Sequence, residues 1–233
     1  MVKDMRELKW LLYYLVVQFL IFSLFVFIYT YIGYDTNDIV SIMNNSSIYI
    51  TIIMALIFIP LLIFNYKKNY KDNKLNSIYK FIILGFSLSL IYNFFGFYLD
   101  KLLNTNLYGD FNIIKTIIQT VILGPIIEEY LFRGMIYNGL KKNFNDKKSM
   151  IITSIVFAIT HTSIIQMIYA FLLNIILVKV YEKYKNINSC IIIHSVSNLT
   201  TTFITIFLVK NNLIINILIF LIGICSLNIK KVI

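Results

Sequence analysis

Charged side chains are scarce in this chain. Only 14% of its 233 residues are charged and 59% are hydrophobic, against roughly 25% and 45–50% in typical globular proteins. A soluble fold of this size would lack the polar side chains to cover its surface, and disorder and a coiled coil are excluded by the same composition. Cysteine is nearly missing. Cys190 and Cys225 are too few for a secreted disulfide scaffold. Both lie in apolar stretches, so we read them as packing residues rather than a disulfide or metal pair. The sequence also has no Gly-x-Ser-x-Gly elbow and no His-Glu-x-x-His pair, and no serine or cysteine has an evident base at short spacing. A covalent nucleophile is not favoured. Sequence repeats and low-complexity linkers are lacking too.

What remains is long apolar runs. With a mean hydropathy of +0.79 the chain reads as an integral membrane protein, and eight stretches stand out: about 10–32, 47–66, 79–99, 111–127, 150–165, 166–181, 187–209 and 212–229. Most approach the roughly 20 residues that a spanning helix needs; the fourth and fifth are short and carry polar residues. The first is too long for the apolar core of a cleavable signal peptide, and no small-residue cleavage site follows it. The expected fold class is therefore all-α: a polytopic bundle of about eight transmembrane helices. One membrane domain spans 1–233.

Acidic residues number 11 against 21 basic ones, a net charge of +10. The basic residues fall in short clusters between apolar runs, which favours the positive-inside rule over nucleic-acid binding. Lys3, Arg6 and Lys9 precede the first run, and Lys67, Lys68, Lys71, Lys74 and Lys80 follow the second. Lys141, Lys142, Lys147 and Lys148 follow the fourth; Lys179, Lys183 and Lys185 follow the sixth; Lys230 and Lys231 close the chain. The other connections hold Asp35 and Asp38, a mixed Asp100, Lys101 and Asp110, and the single Lys210. Both termini are expected on the cytoplasmic side. Tyr29, Tyr31, Tyr66, Tyr79, Tyr98 and Tyr181 lie near run ends, where an aromatic belt would place them.

Ionisable groups at bilayer depth are costly and by default mark function. The stretch Gly124-Pro125-Ile126-Ile127-Glu128-Glu129-Tyr130-Leu131-Phe132-Arg133-Gly134 places two carboxylates and an arginine in an apolar helix. Glu129 and Arg133 are four apart and can pair on one face. Glu128 points about 100° away, without that partner. Pro125 disrupts the helix one turn earlier, and carbonyls freed in a membrane need a polar cavity. The only two histidines, His161 and His194, are also in apolar runs, and His194 shares a helix face with Asn198. At about 1.5 Å per residue, Glu128, His161, His194 and Asn198 lie roughly 18, 20, 10 and 16 Å from the inner helix ends. One chamber can hold all four.

A carboxylate beside a histidine can bind and deprotonate water. A second histidine with an asparagine can donate to the oxyanion formed when water attacks an amide. Glu128-Glu129-x-x-x-Arg133, Phe157-x-x-x-His161 and His194-x-x-x-Asn198, in this order on successive runs, resemble the three motifs of the CPBP family, the CAAX proteases and bacteriocin-processing (Abi) proteins. The motif-bearing core covers about 112–209. The resemblance implies an intramembrane endopeptidase with Glu128 as general base, His161 assisting it, and His194 with Asn198 as the oxyanion site. Glu129 and Arg133 would shape the site. No cofactor or metal is expected; zinc held by Glu128, His161 and His194 stands as the alternative chemistry. Implied partners are the bilayer, expected to be that of the cell membrane, and a membrane-associated substrate: a CAAX protein, a pheromone precursor or a bacteriocin leader. Nucleic acid is not among them. The rival readings are a non-enzymatic bacteriocin self-immunity factor or membrane scaffold, and a small ion or proton transporter, which would be expected to show a repeat or paired half-helices.

Overall fold

The computed structural model describes residues 8–33, 39–103, 112–161, 163–207 and 213–227. Lys3, Arg6, Asp35, Asp38, Asp110, Lys210, Lys230 and Lys231 lie outside them. All regular structure among the described residues is helical. In chain order the helices are α1 (Lys9–Tyr31), α2 (Ile39–Asn69), α3 (Ile78–Leu103), α4 (residues 113–140), α5 (Asp146–Ile159), α6 (Ile164–Tyr184), α7 (Ile187–Phe207) and α8 (Leu213–Ser226). Four segments are long and apolar enough to cross a membrane: Lys9–Tyr31, Asn44–Asn69, Ile78–Leu103 and Ile164–Tyr184. The protein is an all-α membrane protein.

Several boundaries differ from the apolar runs. The run at 111–127 continues to residue 140, so the two glutamates and Arg133 lie inside a rod rather than at its end. The run at 150–165 begins earlier, because the Asn145 side chain accepts from the Lys148 N–H at 2.8 Å and caps α5. It also ends earlier, at Ile159, leaving His161 in the bend before α6. The aromatic belt is only partly seen. Tyr31 and Tyr79 are exposed, but Tyr66 and Tyr181 are buried. The Tyr66 hydroxyl donates to Asp72 at 2.8 Å, and Tyr181 accepts from Asn138 at 2.9 Å, so both serve the protein interior.

α1 buries none of its residues and turns Leu12, Phe19, Leu24 and Phe27 outward, as a lipid-facing helix does. The core is built by α2 to α7, around Phe58, Phe81, Leu131, Phe157, Leu177 and Ile193. In lipid the hydrophobic effect does not hold helices together, so close packing and hydrogen bonds must. At Gly85 a Cβ would sit 2.5 Å from the Ile193 carbonyl oxygen: α3 and α7 approach so closely that only glycine fits. Ser89 and Thr201 share a hydrogen bond there (2.9 Å), and Asn93 donates to Thr201 at 3.1 Å.

The opposite end of α7 is fixed by charge. Asp72 accepts the Ile187 N–H at 2.8 Å, an anion at a helix N-terminus where the macrodipole favours it. Lys71, Lys141, Lys142 and Lys185 line one cleft at this end, so three of the basic clusters converge there. Lys141 bridges Glu182 (2.9 Å) and Asp146 (3.0 Å).

Candidate active site

α4 is not a regular α-helix. Residues Ile117–Leu123 and Tyr130–Tyr137 are π-helical, flanking Gly124–Glu129, and such widened turns occur often at functional sites. The first has a traceable cause. The Gly124 N–H reaches the Gln119 carbonyl, five residues back. In that register position 125 would serve the Thr120 carbonyl, but Pro125 has no N–H. Asn198 supplies the missing donor: its Nδ2 reaches the Thr120 oxygen at 2.7 Å. The carbonyl freed by Pro125 thus ties α4 to α7, one helical turn beyond His194. Gly124 is required by the same turn, because a Cβ would lie 2.7 Å from the Gln119 oxygen.

The two adjacent carboxylates have different surroundings. Glu129 is fully buried and its Oε1 accepts from Arg133 Nη1 at 2.9 Å, the pair expected from their spacing. The same oxygen accepts from His194 Nδ1 at 2.7 Å. Glu128 is one-third exposed, and its Oε2 lies 3.8 Å from His194 Nε2. One imidazole is therefore held between the two glutamates. The sequence reading paired His194 with Asn198 and did not anticipate the bond to Glu129.

Phe157 sits at the centre of the cluster. Its ring meets those of His161 and His194 edge-on, with centroids 5.1 and 6.1 Å away, and carries the Arg133 guanidinium at 5.2 Å, a distance suited to a cation–π contact. His161 follows α5 in the bend, where its Nδ1 lies 3.0 Å from the Phe157 carbonyl. A carbonyl only accepts, so the proton is on Nδ1 and Nε2 carries the lone pair.

Glu128, His161, His194 and Asn198 all line one cavity of about 610 Å³. Glu129 and Arg133 lie behind it. A second cavity of about 350 Å³, between α1, α2 and α4, also reaches Glu128. Sequence reasoning missed the polar lining of the main cavity, which includes Tyr92, Gln119, Gln166 and Tyr169. One signal was available: Thr200, Thr201, Thr202 and Thr205 crowd the end of an apolar run. Among the described residues no three His, Cys, Asp or Glu side chains group as a metal site. The set of Glu128, His161 and His194 named above is therefore not grouped as one, and His194 presents Nδ1 to Glu129 and Nε2 to Glu128.

A buried Glu–Arg–His cluster thus sits against a cavity inside a helical membrane protein. Residues 110–200, which hold the three motifs, match the family model described as type II CAAX prenyl endopeptidase Rce1-like; this stretch is similar to that family. No curated protein and no solved structure gives a significant match.

Proposed function

We propose that the protein is an intramembrane endopeptidase that hydrolyses a peptide bond of a membrane-associated peptide or protein by glutamate-activated water. The observation that carries this is the convergence of Glu128, His161, His194 and Asn198 on one cavity from α4, the α5–α6 bend and α7. Glu128 is exposed enough to hold a water, and His161 Nε2 is an acceptor for the same molecule. As the water attacks the substrate carbonyl, Glu128 takes its proton and later passes it to the departing amine. Asn198 spends one N–H on Thr120 and keeps the other for the developing oxyanion. His194 joins it from Nε2 when that nitrogen is protonated, with Glu129 holding the ring at Nδ1. Every step uses this chain's own side chains, so the mechanism proposed is metal-independent. We place the protein in the cell membrane, with its lysine-rich end cytosolic.

The test is cleavage of a panel of membrane-associated peptides by protein purified in detergent, followed by mass spectrometry. Glu128→Ala and His161→Ala should abolish cleavage without lowering the unfolding temperature. Asn198→Ala should reduce turnover by about 10²–10³-fold, the usual effect of losing one oxyanion donor. Wild-type cleavage by Glu128→Ala would overturn the assignment.

A further inference from the structure

We propose that the cleft of about 480 Å³ at the lysine-rich end of the helices binds a phosphate-bearing anion, either a phospholipid headgroup or a soluble phosphate compound. None of the residues lining it lines the chamber of Glu128, so the inference does not depend on the protease reading.

Three separate stretches supply the cations. Lys71 comes from the loop after α2, Lys141 and Lys142 from the end of α4, and Lys185 from the turn after α6. The positive-inside rule asks only that lysines lie in these connections; it does not gather them around one cleft. Four ammonium groups here face a single lining carboxylate, Glu182, which accepts from Lys141 at 2.9 Å and from Lys185 at 2.7 Å. Asp146, outside the lining, also pairs with Lys141 at 3.0 Å, and Asp72 turns inward to the Ile187 N–H. Setting Glu182 and Asp146 against the four lysines leaves two positive charges in excess. Like charges held together repel. A phosphate relieves that repulsion, and lysine serves it as a point charge.

The walls are held in place without a ligand. The Asn73 N–H donates to the Lys185 carbonyl at 2.9 Å, and the Asn186 side chain donates to the Asn73 carbonyl at 2.6 Å. The loop carrying Lys71 is thus pinned to the turn carrying Lys185. α4 joins them through Asn138, which donates to the Tyr181 hydroxyl at 2.9 Å. Tyr181 lines the cleft although only 4% exposed, and its own proton is poorly used. Tyr66 gives its proton to Asp72, so the contact left to Tyr181 as donor is the Tyr66 oxygen at 3.4 Å, a long bond. A phosphate oxygen in the cleft is a better acceptor. The cleft lies where α2, α4 and α6 end, the level at which headgroups sit, which favours the phospholipid source.

The experiment titrates delipidated protein in detergent with short-chain phosphatidylglycerol, phosphatidylcholine of the same chains, and glycerol phosphate. Native mass spectrometry counts what is bound. One phosphatidylglycerol per chain should bind at least about tenfold tighter than phosphatidylcholine, since a lysine near an anionic headgroup contributes about fivefold. Lys141 and Lys185 already hold Glu182, so the test removes Lys71 and Lys142. Lys71→Ala with Lys142→Ala should weaken phosphatidylglycerol by about 10–30-fold. Lys67→Ala with Lys68→Ala removes the same charge from the exposed end of α2, outside the lining, and should weaken it by less than about threefold. The melting temperature without lipid checks that each variant is folded; if the double variant is not, Lys71→Ala alone should still lose about fivefold. Glycerol phosphate bound as tightly as the lipid would assign a soluble ligand to the same lysines, and its failure to bind beside a bound lipid would assign the headgroup. Phosphatidylglycerol bound no better than phosphatidylcholine, with glycerol phosphate unbound, would overturn the inference. So would an equal loss in the Lys67 and Lys68 variant, which would mean diffuse surface charge and no site.

Discussion

Removing Arg133 should damage this protein far more than removing Arg133 and the charge of Glu129 together. Both side chains are wholly buried and 2.9 Å apart. Arg133→Met leaves the Glu129 carboxylate in the interior with no cation, a loss that typically costs about 3–5 kcal/mol. Glu129→Gln strands the guanidinium in the same way. The double variant has no buried charge in this pair, and replacing a whole buried ion pair is often close to neutral. Near 1 kcal/mol per 2–4 °C for chains of about this size, each single variant should melt about 6–20 °C lower. The double variant should return to within about 4 °C of wild type.

The molecule carries its own reporter for this measurement. Cys190 is fully buried in the core and Cys225 is exposed on α8, so a thiol-reactive dye added during heating gives a constant background from one and an unfolding signal from the other. Turnover provides the second readout. In the double variant His194 Nδ1 still finds an acceptor at position 129, but a neutral amide oxygen instead of a carboxylate. A charge-assisted bond is about twice as strong as a neutral one, so cleavage should stay at least about tenfold below wild type although stability is recovered. A double variant as unstable as the singles would refute the ion-pair account. A double variant with full turnover would refute the anchoring of His194 by Glu129.

Three further outcomes are expected. Gly124→Ala pushes a Cβ to 2.7 Å from the Gln119 oxygen; the π-turn must shift, costing about 1–3 kcal/mol, and the dye-monitored melt should show it together with lost cleavage. Cleavage should survive exhaustive chelation, with elemental analysis finding no stoichiometric zinc; activity lost to chelator and restored by zinc would reverse the metal-independent mechanism. In a background without Cys190 and Cys225, single cysteines at 70–74 and 145–148 should label only from the cytosolic face and those at 35–38 only from outside; external labelling of 70–74 would invert the proposed orientation.

How much of this was legible depended on whether a feature is local in sequence. The Glu129–Arg133 pair follows from a spacing of four on one helix, and the need for a polar partner near Pro125 follows from its missing N–H. Depth along the helices was enough to suggest that Glu128, His161, His194 and Asn198 share a chamber, and all four do line one cavity. The hidden features depend on how one helix is rotated against another. Which glutamate receives His194 Nδ1 is set by the turn of α7 about its own axis, and that is fixed by the contact of Gly85 with the Ile193 backbone. The partner of Asn198 is a main-chain carbonyl, which has no residue-type signature. The start of α2 also differs, at Ile39 rather than near 47. Ser46, ahead of the apolar run, returns its hydroxyl to the Ile42 carbonyl at 2.6 Å and so remains helical.

The bond between His194 and Glu129 changes what the adjacent glutamates mean. Read along the sequence, one carboxylate belongs to an ion pair and its neighbour to chemistry. In the folded protein the same imidazole touches the first at 2.7 Å and approaches the second at 3.8 Å. Arg133 fixes Glu129, Glu129 fixes the ring, and the ring faces Glu128. Phe157 closes the loop by stacking beneath the guanidinium while its edge contacts reach both histidines. A change of charge at Arg133, which does not line the cavity, is therefore felt at Glu128 through two hydrogen bonds and one ring. Buried polar clusters of this kind are coupled, and single deletions in them do not add. Arg133 is thus a positioning residue for the proposed chemistry as well as a structural one, and the double variant separates the two roles.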